Sequence, residues 1–449
     1  MRVEIAIAAA ILCRSLCGIA AGGGTPAPIR DLKTIKQDCL SHIDMDTAAA
    51  RLITPAQQQL FYEQFRKRHF QAWNMTDTPE PRLAAQRIIQ KLAKDDGYGE
   101  NLLPRPSGWV KGLANLADLG RYPNCNRPAI TVRNTNLRDL PTPLPRFNDP
   151  QLPGEGFPFD TLQNSALWAN TPLLACHTSS DGAWVLAWTA LGCGWIPAQD
   201  IAFVDRKLTD YWQARPLAAL VQDDVAVRDV AGNFRFKTHI GAVFPLVGSN
   251  DGKLLCLVAA AEGNGQAVIY TASLAGDQAV EMPMELTASQ IARLANCMLG
   301  RPYGWGGLFE GRDCSATIRD LFTPFGIFLP RNSAQQAAAG KVIDLKGLGG
   351  DEKERAILEK GKCWLTLLRC PGHIMLYIGR RGDKPLILHS FWGIHVLKGD
   401  GAEGRHIVGR CAITTLQPGS ELPNVVPGGD LRSGIESMVL LDEPAEVQP

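Results

Sequence analysis

The sequence predicts a multidomain chain: a helical N-terminal region, two small β-barrels of similar plan and a C-terminal α+β domain. Three observations predict it. The chain has 449 residues, far more than one hydrophobic core encloses. Hydrophobic spacing is helical up to about Leu119, then gives way to short β-like runs between Pro128 and Thr287, broken by Asp-Gly, Pro and Asn turns. A capped helix and a hairpin pattern follow. The boundaries read from these changes are 1–22 for an export signal, 25–127 for the helical region, 128–208 and 209–284 for the barrels, and 285–449 for the last domain.

The 46 basic and 45 acidic residues leave a formal net charge of +1. No global field then recruits nucleic acid or an anionic membrane, and a neutral or mixed-charge substrate fits better. Met1-Arg2-Val3, the apolar run Ile5 to Cys13 and the small residues Gly18 to Gly22 read as a secretory signal, interrupted by Glu4 and Arg14, with a buried helix as the alternative. Cys17 is a candidate lipid-anchor site, although Leu16 before it is bulky for such a signal. No other segment has the apolar length that spans a bilayer, so the expectation is a soluble exported protein of the periplasm or cell envelope, without a transmembrane segment. None of the twelve cysteines stands in Cys-x-x-Cys spacing, so neither zinc nor another cofactor is expected. Most, such as Cys256 within Leu254 to Val258, read as small core residues. One or two disulfides using Cys39 or Cys125 are compatible with the sequence.

In the helical region, Leu60, Phe61, Phe65 and Phe70 alternate with Glu63, Arg66, Lys67 and Arg68 at amphipathic spacing. The basic cluster Arg66-Lys67-Arg68-His69 reads as a solvated helix face rather than a contact for an anionic polymer. In the β region, Ser180-Asp181-Gly182 before Trp184 to Trp188 recurs as Asn250-Asp251-Gly252 before Leu254 to Val258. Each is followed by a further short strand, Cys193 to Ile196 and Gly265 to Tyr270, and preceded by one, Ile130 to Arg133 and Val225 to Arg228. Two related barrels account for this repeat better than one irregular sandwich. Trp184, Trp188 and Trp195 read as core residues rather than a ligand platform.

In the last domain, Thr287 caps a helix whose apolar stripe is Ile291, Leu294, Ala295 and Met298, and Gly300 and Pro302 stop it. Asp313 caps another, running through Ile318, Leu321 and Phe322 to Pro324, and Cys314 falls in its first turn. The helix terminus favours a thiolate there, the Asp313 charge opposes it, and His373 as imidazolium would supply the missing cation. His373 opens the strand Ile374 to Ile378; the chain turns at about Arg381 or Gly382 and returns through Leu386 to Phe391. That hairpin brings His389 opposite or diagonal to His373 on one face, whereas His395 and His406 lie past its reach. The set reads as nucleophile, base and ring-orienting residue of a cysteine hydrolase. Cys370, three places before His373 on what reads as one strand, is expected to face the other way and to be structural. Gly306-Gly307 is not a phosphate loop, since no Gly-Lys-Ser/Thr follows.

Pro302 to Gly307, Asp313-Cys314-Ser315, Gly372-His373-Ile374, His389 and the stretch Leu329 to Gln336 together resemble the NlpC-type cell-wall peptidases, a papain-like family. The resemblance covers roughly Leu286 to Arg410; the barrels look like the paired bacterial SH3-like domains of one branch, and the helical region like its stabilising segment. It implies hydrolysis of the γ-D-glutamyl bond to a diamino acid (diaminopimelate) in peptidoglycan stem peptides, with Cys314 as nucleophile, His373 as acid and base, and His389 orienting the ring. It also implies an oxyanion site at the Cys314 N–H with Tyr303 beside it, and substrate contacts from Asp313 and Ser315. The chain departs from the family at Ala316, where glycine is usual, and at Lys360 to Leu368, where Pro-Gly-Asp-Leu is usual. The expected partner is peptidoglycan or its muropeptides. Three readings compete: a recycling peptidase for free stem peptides with N-terminal L-Ala, a non-catalytic wall-binding protein, and an acyltransferase on the same scaffold.

Overall fold

The computed structural model describes residues 27–75, 80–399 and 401–443. The expected export signal and Cys17 lie outside them. No helix among the described residues is long and apolar enough to cross a membrane. The main helix of the N-terminal region, α1 (Pro55–His69), starts at a capping box in which Thr54 Oγ1 accepts from the Gln57 N–H at 3.2 Å and the Gln57 side chain accepts from the Thr54 N–H at 3.0 Å. Its buried side is Gln58, Tyr62 and Phe65, with Phe70 just beyond. Leu60, expected on that side, is instead 54% exposed: two positions from Tyr62 on a helix it points about 200° away. Shorter helices lie at Arg30–Thr34, Glu80–Leu92 and Trp109–Ala117.

Both SH3-like modules form, and both Asp-Gly turns lie where the repeat puts them. Gly182 (φ +73°) turns Pro172–Thr178 into Trp184–Thr189; Asp251 (φ +49°) and Gly252 (φ +73°) turn Val243–Asn250 into Lys253–Ala261. The repeat is incomplete upstream. Arg127–Thr131 joins the seven-stranded sheet of the first module, whereas Val225–Arg228 pairs only with Phe234–Thr238 in a separate ribbon beside a five-stranded sheet. Trp195 is fully buried and Trp184 nearly so, as expected of core residues, but Trp188 is only half-buried.

The last domain packs α2 (Ala288–Met298) and α3 (Cys314–Phe322) on a six-stranded antiparallel sheet. Its strands are β1 (Lys341–Asp344), β2 (Thr366–Cys370), β3 (His373–Arg381), β4 (Lys384–Leu397), β5 (Glu403–Thr414) and β6 (Ser437–Leu440), in spatial order β1-β6-β2-β3-β4-β5. Thr287 caps α2 as expected, accepting from the Gln290 N–H at 3.2 Å, and Ile291, Leu294, Ala295 and Met298 are buried. The ten described cysteines are all free thiols, so neither Cys39 nor Cys125 forms the disulfide held open for them. Cys39 is buried in the α2–α3 core, where a small apolar side chain is what packing requires.

Candidate active site

Cys314 opens α3 because Asp313 ends the extended chain before it: the Asp313 carboxylate accepts from the Ala316 N–H at 2.9 Å. All nine residues of α3 are buried, the polar Thr317, Arg319 and Asp320 included. This helix has no solvated face, and a buried charge needs a partner. Arg331 supplies it for Asp313, at 2.7 Å to Oδ2 and 3.1 Å to Oδ1, and its Nε donates to Ser165 of the first SH3-like module at 2.9 Å. Arg312 does the same on the other side: it clamps Asp223 of the second module at 2.7 and 2.8 Å and Asp320 of α3 at 2.7 Å. The helix that Cys314 opens is thus tied to the second module by a buried ion pair and to the first through Arg331. Sequence reasoning assigned no role to Arg312, Arg331 or Asp320; the signal was the run of polar residues inside a helix that packing makes wholly internal.

These contacts correct the expectation for Asp313 and Ser315. The Asp313 carboxylate receives two Arg331 bonds, the N–H groups of Gly306 (3.0 Å) and Ala316, and the Ser315 hydroxyl (3.1 Å); Arg331 Nη1 in turn donates to Ser315 Oγ at 3.0 Å. The Asp313 carboxylate is thereby fully engaged, and the Ser315 hydroxyl is held between Asp313 and Arg331. Burial pushes the Asp313 carboxyl up, but Arg331 and the hydrogen bonds outweigh it and hold it below its ordinary value.

His373 and His389 meet as the hairpin predicts: His373 Nε2 lies 2.9 Å from His389 Nδ1, with the rings edge to face. The decisive detail is a bulge. The β3–β4 pairs Arg381↔Lys384 and Gly379↔Leu386 become Tyr377↔Ile387 and Leu376↔Leu388, leaving Ile378 as an extra residue. Without it His389 would stand across from Leu376, three residues from His373 and on the other face of the sheet. Gly379 makes the bulge possible: its φ is +149°, and a Cβ there would lie 3.0 Å from the His42 carbonyl oxygen.

The hydrogen bonds also set the tautomers. Thr414 Oγ1 donates to the Thr415 carbonyl at 2.8 Å, so it accepts from His389 Nε2–H at 3.0 Å. His389 Nδ1 then accepts from His373 Nε2–H, which leaves His373 Nδ1 unprotonated and able to take a proton. His389 is fully buried and stacks on Phe391 with ring centroids 4.1 Å apart. The Ile374 N–H, one residue after His373, acts to lower the Cys314 thiol, against burial and Asp313.

Burial disfavours the charged forms of both Cys314 and His373, against the ion pair expected from sequence. It pushes the Cys314 thiol up to about 12, with Asp313 adding to the rise, and pushes His373 down to about 4; His389 lies well below its ordinary value for the same reason. A stability consequence follows. Unfolded histidine takes up a proton near pH 6.5, whereas these folded rings refuse it, so stability is fully present above about 6.5 and is lost as pH falls towards about 4. His389 carries most of that loss, because His373 is only half-buried. Melting temperature measured across this range is expected to fall less steeply for His389→Phe than for the wild type.

Cys370 is a correction of placement. It is not on the His373 strand but directly across from it, because Pro371 and Gly372 (φ +74°) form a two-residue turn between β2 and β3. Its buried thiol donates to the Leu431 carbonyl at 3.5 Å, so the structural reading holds for a different reason. A groove of about 590 Å³ runs past His373, with Tyr303, Trp305, Trp392 and Arg405 in its walls and Gly154 and Phe159 of the first module at one side. Phe159 contacts the ring edges of Trp305 (5.3 Å) and Trp392 (6.3 Å), so the first module forms part of the groove wall. Gly306 and Gly307 have a docking role: their φ values are +61° and +86°, and a Cβ at either would strike Gln163 or Ala166 of that module at 2.4 or 2.5 Å. Tyr303 sits beside this groove with its hydroxyl pushed up by burial and by the nearby Asp313 and Cys314, which keeps it a proton donor.

Four family models align with the chain in order: an NLPC_P60 N-terminal stabilising domain over residues 6–122, an SH3 domain of SH3b1 type over 145–197, one of SH3b2 type over 205–250, and the NlpC/P60 family over 300–396. Residues 300–396 form an NlpC/P60 domain. An NlpC/P60 endopeptidase from Photobacterium damselae subsp. piscicida superposes with a TM-score of 0.84 at 25% identity, covering 94% of this chain and 100% of that one. An NlpC/P60 family protein from Bacillus cereus superposes at 0.45 and 14% identity, covering 70% and 98%. Among curated proteins, a gamma-D-glutamyl-L-lysine dipeptidyl-peptidase of Bacillus subtilis is 34% identical over 105 residues, 23% of this chain. The match spans about a third (32%) of that relative's length. Within the NlpC/P60 domain, the cysteine of the helix, the paired histidines and the groove thus belong to a peptidase fold.

Proposed function

We propose that this NlpC/P60 chain is an extracytoplasmic peptidoglycan peptidase that cleaves the γ-D-glutamyl bond to the diamino acid of stem peptides. The observation that carries this reading is the Thr414–His389–His373 relay, which frees His373 Nδ1 at the start of a strand whose next residue, Ile374, shares a core with Cys314 at the first turn of α3. Cys314 sulfur attacks the γ-carbonyl carbon as its proton passes to His373 Nδ1. The carbonyl electrons move to an oxyanion held by the Cys314 N–H and the Tyr303 hydroxyl. The C–N bond then breaks as His373 returns the proton to the leaving amine, and water resolves the thioester with His373 again acting as base. Asp313 and Arg331 position the nucleophile helix rather than touch substrate.

Arg405 gives the groove a chemical preference. It is largely buried, donates to the Gly404 carbonyl at 2.8 Å, and its ion-pair partner among the described residues is Glu403 at 3.8 Å, beyond hydrogen-bond reach. Asp430, also in the wall, is engaged by the N–H and hydroxyl of Ser433, and burial together with Arg405 lowers His395. A diamino acid bearing a second carboxylate, as diaminopimelate does and lysine does not, matches this cation. Arg405→Ala is expected to lower kcat/KM on the diaminopimelate peptide about tenfold or more while changing the lysine peptide little; steady-state kinetics on both peptides measure it.

The crowding of Gly154, Phe159 and Trp392 favours a second reading, in which the groove admits only free stem peptides with an N-terminal L-Ala. Mass spectrometry of digests of sacculi and of free tetrapeptide separates the two. New ends at the γ-carboxyl of D-Glu support the proposal, cleavage of the tetrapeptide alone supports the second reading, and ends at any other bond overturn both.

A further inference from the structure

A second and larger cleft, of about 920 Å³, lies where three modules meet. Its walls include Phe61, Lys67 and Arg68 of α1, Trp188 and Leu191 of the first SH3-like module, and Phe328 of the last domain. Arg331, the cation of the Asp313 pair, lines it as well, along with Leu329 and Pro330.

The basic run on α1 does not behave as one solvated face. Arg66 turns inward and donates to the carbonyls of Gln213 and, at 2.9 Å, Arg215, while His69 packs between Phe65 and Phe70. Lys67 and Arg68 stay exposed in the cleft wall, and no carboxylate among the described residues lies within 4.0 Å of either. In the same wall the indole N–H of Trp188 is buried and has no acceptor. An unpaired buried donor is costly, so such a group calls for a ligand or solvent oxygen. Two free cations, one orphan donor and aromatic and aliphatic walls form a concave site for an amphipathic anion.

We propose that this cleft binds a peptide bearing free carboxylates, of the kind a second stem peptide of the wall presents, at a site separate from the catalytic groove. The choice of a wall peptide rests on the proposed function; the anionic, part-apolar chemistry of the ligand does not. Lys67 and Arg68 would pair with its carboxylates, Trp188 would donate to a backbone or carboxyl oxygen, and Phe61 and Phe328 would cover its apolar side chains.

The test uses full-length protein carrying Cys314→Ala, so that the probe, purified sacculi, is not consumed. Co-sedimentation is compared for this protein, for the same protein with Lys67→Glu and Arg68→Glu, and for a control with Lys94→Glu and Lys111→Glu, which are exposed outside the cleft. The cleft variant is expected to bind about tenfold more weakly at an unchanged melting temperature, with the control binding as before. Trp188→Phe, which keeps an aromatic ring and removes the N–H, is expected to weaken binding in the same direction. Should the double glutamate variant fail to fold, Lys67→Gln with Arg68→Gln replaces it. Equal binding of the cleft variant, or an equal drop in the control, overturns the proposal. Failure of the hydrolase reading is scored separately, as wild-type protein that releases no peptide from sacculi or tetrapeptide.

Discussion

His373→Ala is expected to lower kcat/KM on the stem tetrapeptide by on the order of 10⁴-fold, because in the proposed mechanism this group takes the thiol proton and returns it to the leaving amine. The structure makes this loss larger than for a thiol that ionises by itself. Burial pushes Cys314 up to about 12, so without an acceptor nearby the nucleophile stays protonated at neutral pH. Residues that act as one unit are strongly non-additive, so Cys314→Ala combined with His373→Ala is expected to be no slower than either alone. His389→Asn is expected to cost less, since an amide can still accept from His373 Nε2–H and donate to Thr414 Oγ1, whereas His389→Phe removes both bonds. Steady-state kinetics on the five variants check the order. A His373→Ala protein within tenfold of wild type would remove the imidazole from the mechanism.

Arg331→Met is expected to destabilise the protein by about 3–5 kcal/mol, the range for breaking a buried pair on one side only. Arg331 is 6% exposed and makes bonds to Asp313, Ser315 and Ser165 at once, so its loss strands a buried carboxylate and unpins α3 from the first SH3-like module. Asp313→Asn in the same background removes the stranded charge and is expected to recover part of the loss while leaving the N-cap oxygen in place. Denaturant unfolding of the single and double variants measures both. If Arg331→Met unfolds at the wild-type midpoint, the ion pair does not hold the helix.

The elements that local rules determine were legible in the sequence. Thr287 and Asp313 mark helix starts because a short polar side chain can cap the free N–H groups of the first turn, and Asp181-Gly182 and Asp251-Gly252 mark hairpins because the turns place Gly182, Asp251 and Gly252 at positive φ. The His373–His389 pairing was legible for the same local reason, a short loop between two strands, although the bulge at Ile378 that puts both rings on one face was not. What the sequence hid is tertiary. Asp313 and Ser315 look like free polar neighbours of a nucleophile until Arg331, eighteen residues on, is seen to occupy them. Cys370 looks like a strand neighbour of His373 until Pro371-Gly372 turns the chain between them. Leu60 looks internal at helical spacing, yet the neighbours that decide which side of α1 is buried come from Met284 and Phe325, far along the chain.

The most direct test of the central claim compares wild-type protein with Cys314→Ala on purified sacculi and on free tetrapeptide, with products read by mass spectrometry and folding checked by circular dichroism. The account predicts that wild type releases fragments ending at the γ-carboxyl of D-Glu from at least one of the two, and that equally folded Cys314→Ala releases none. Release of the same fragments at an undiminished rate by Cys314→Ala would contradict it.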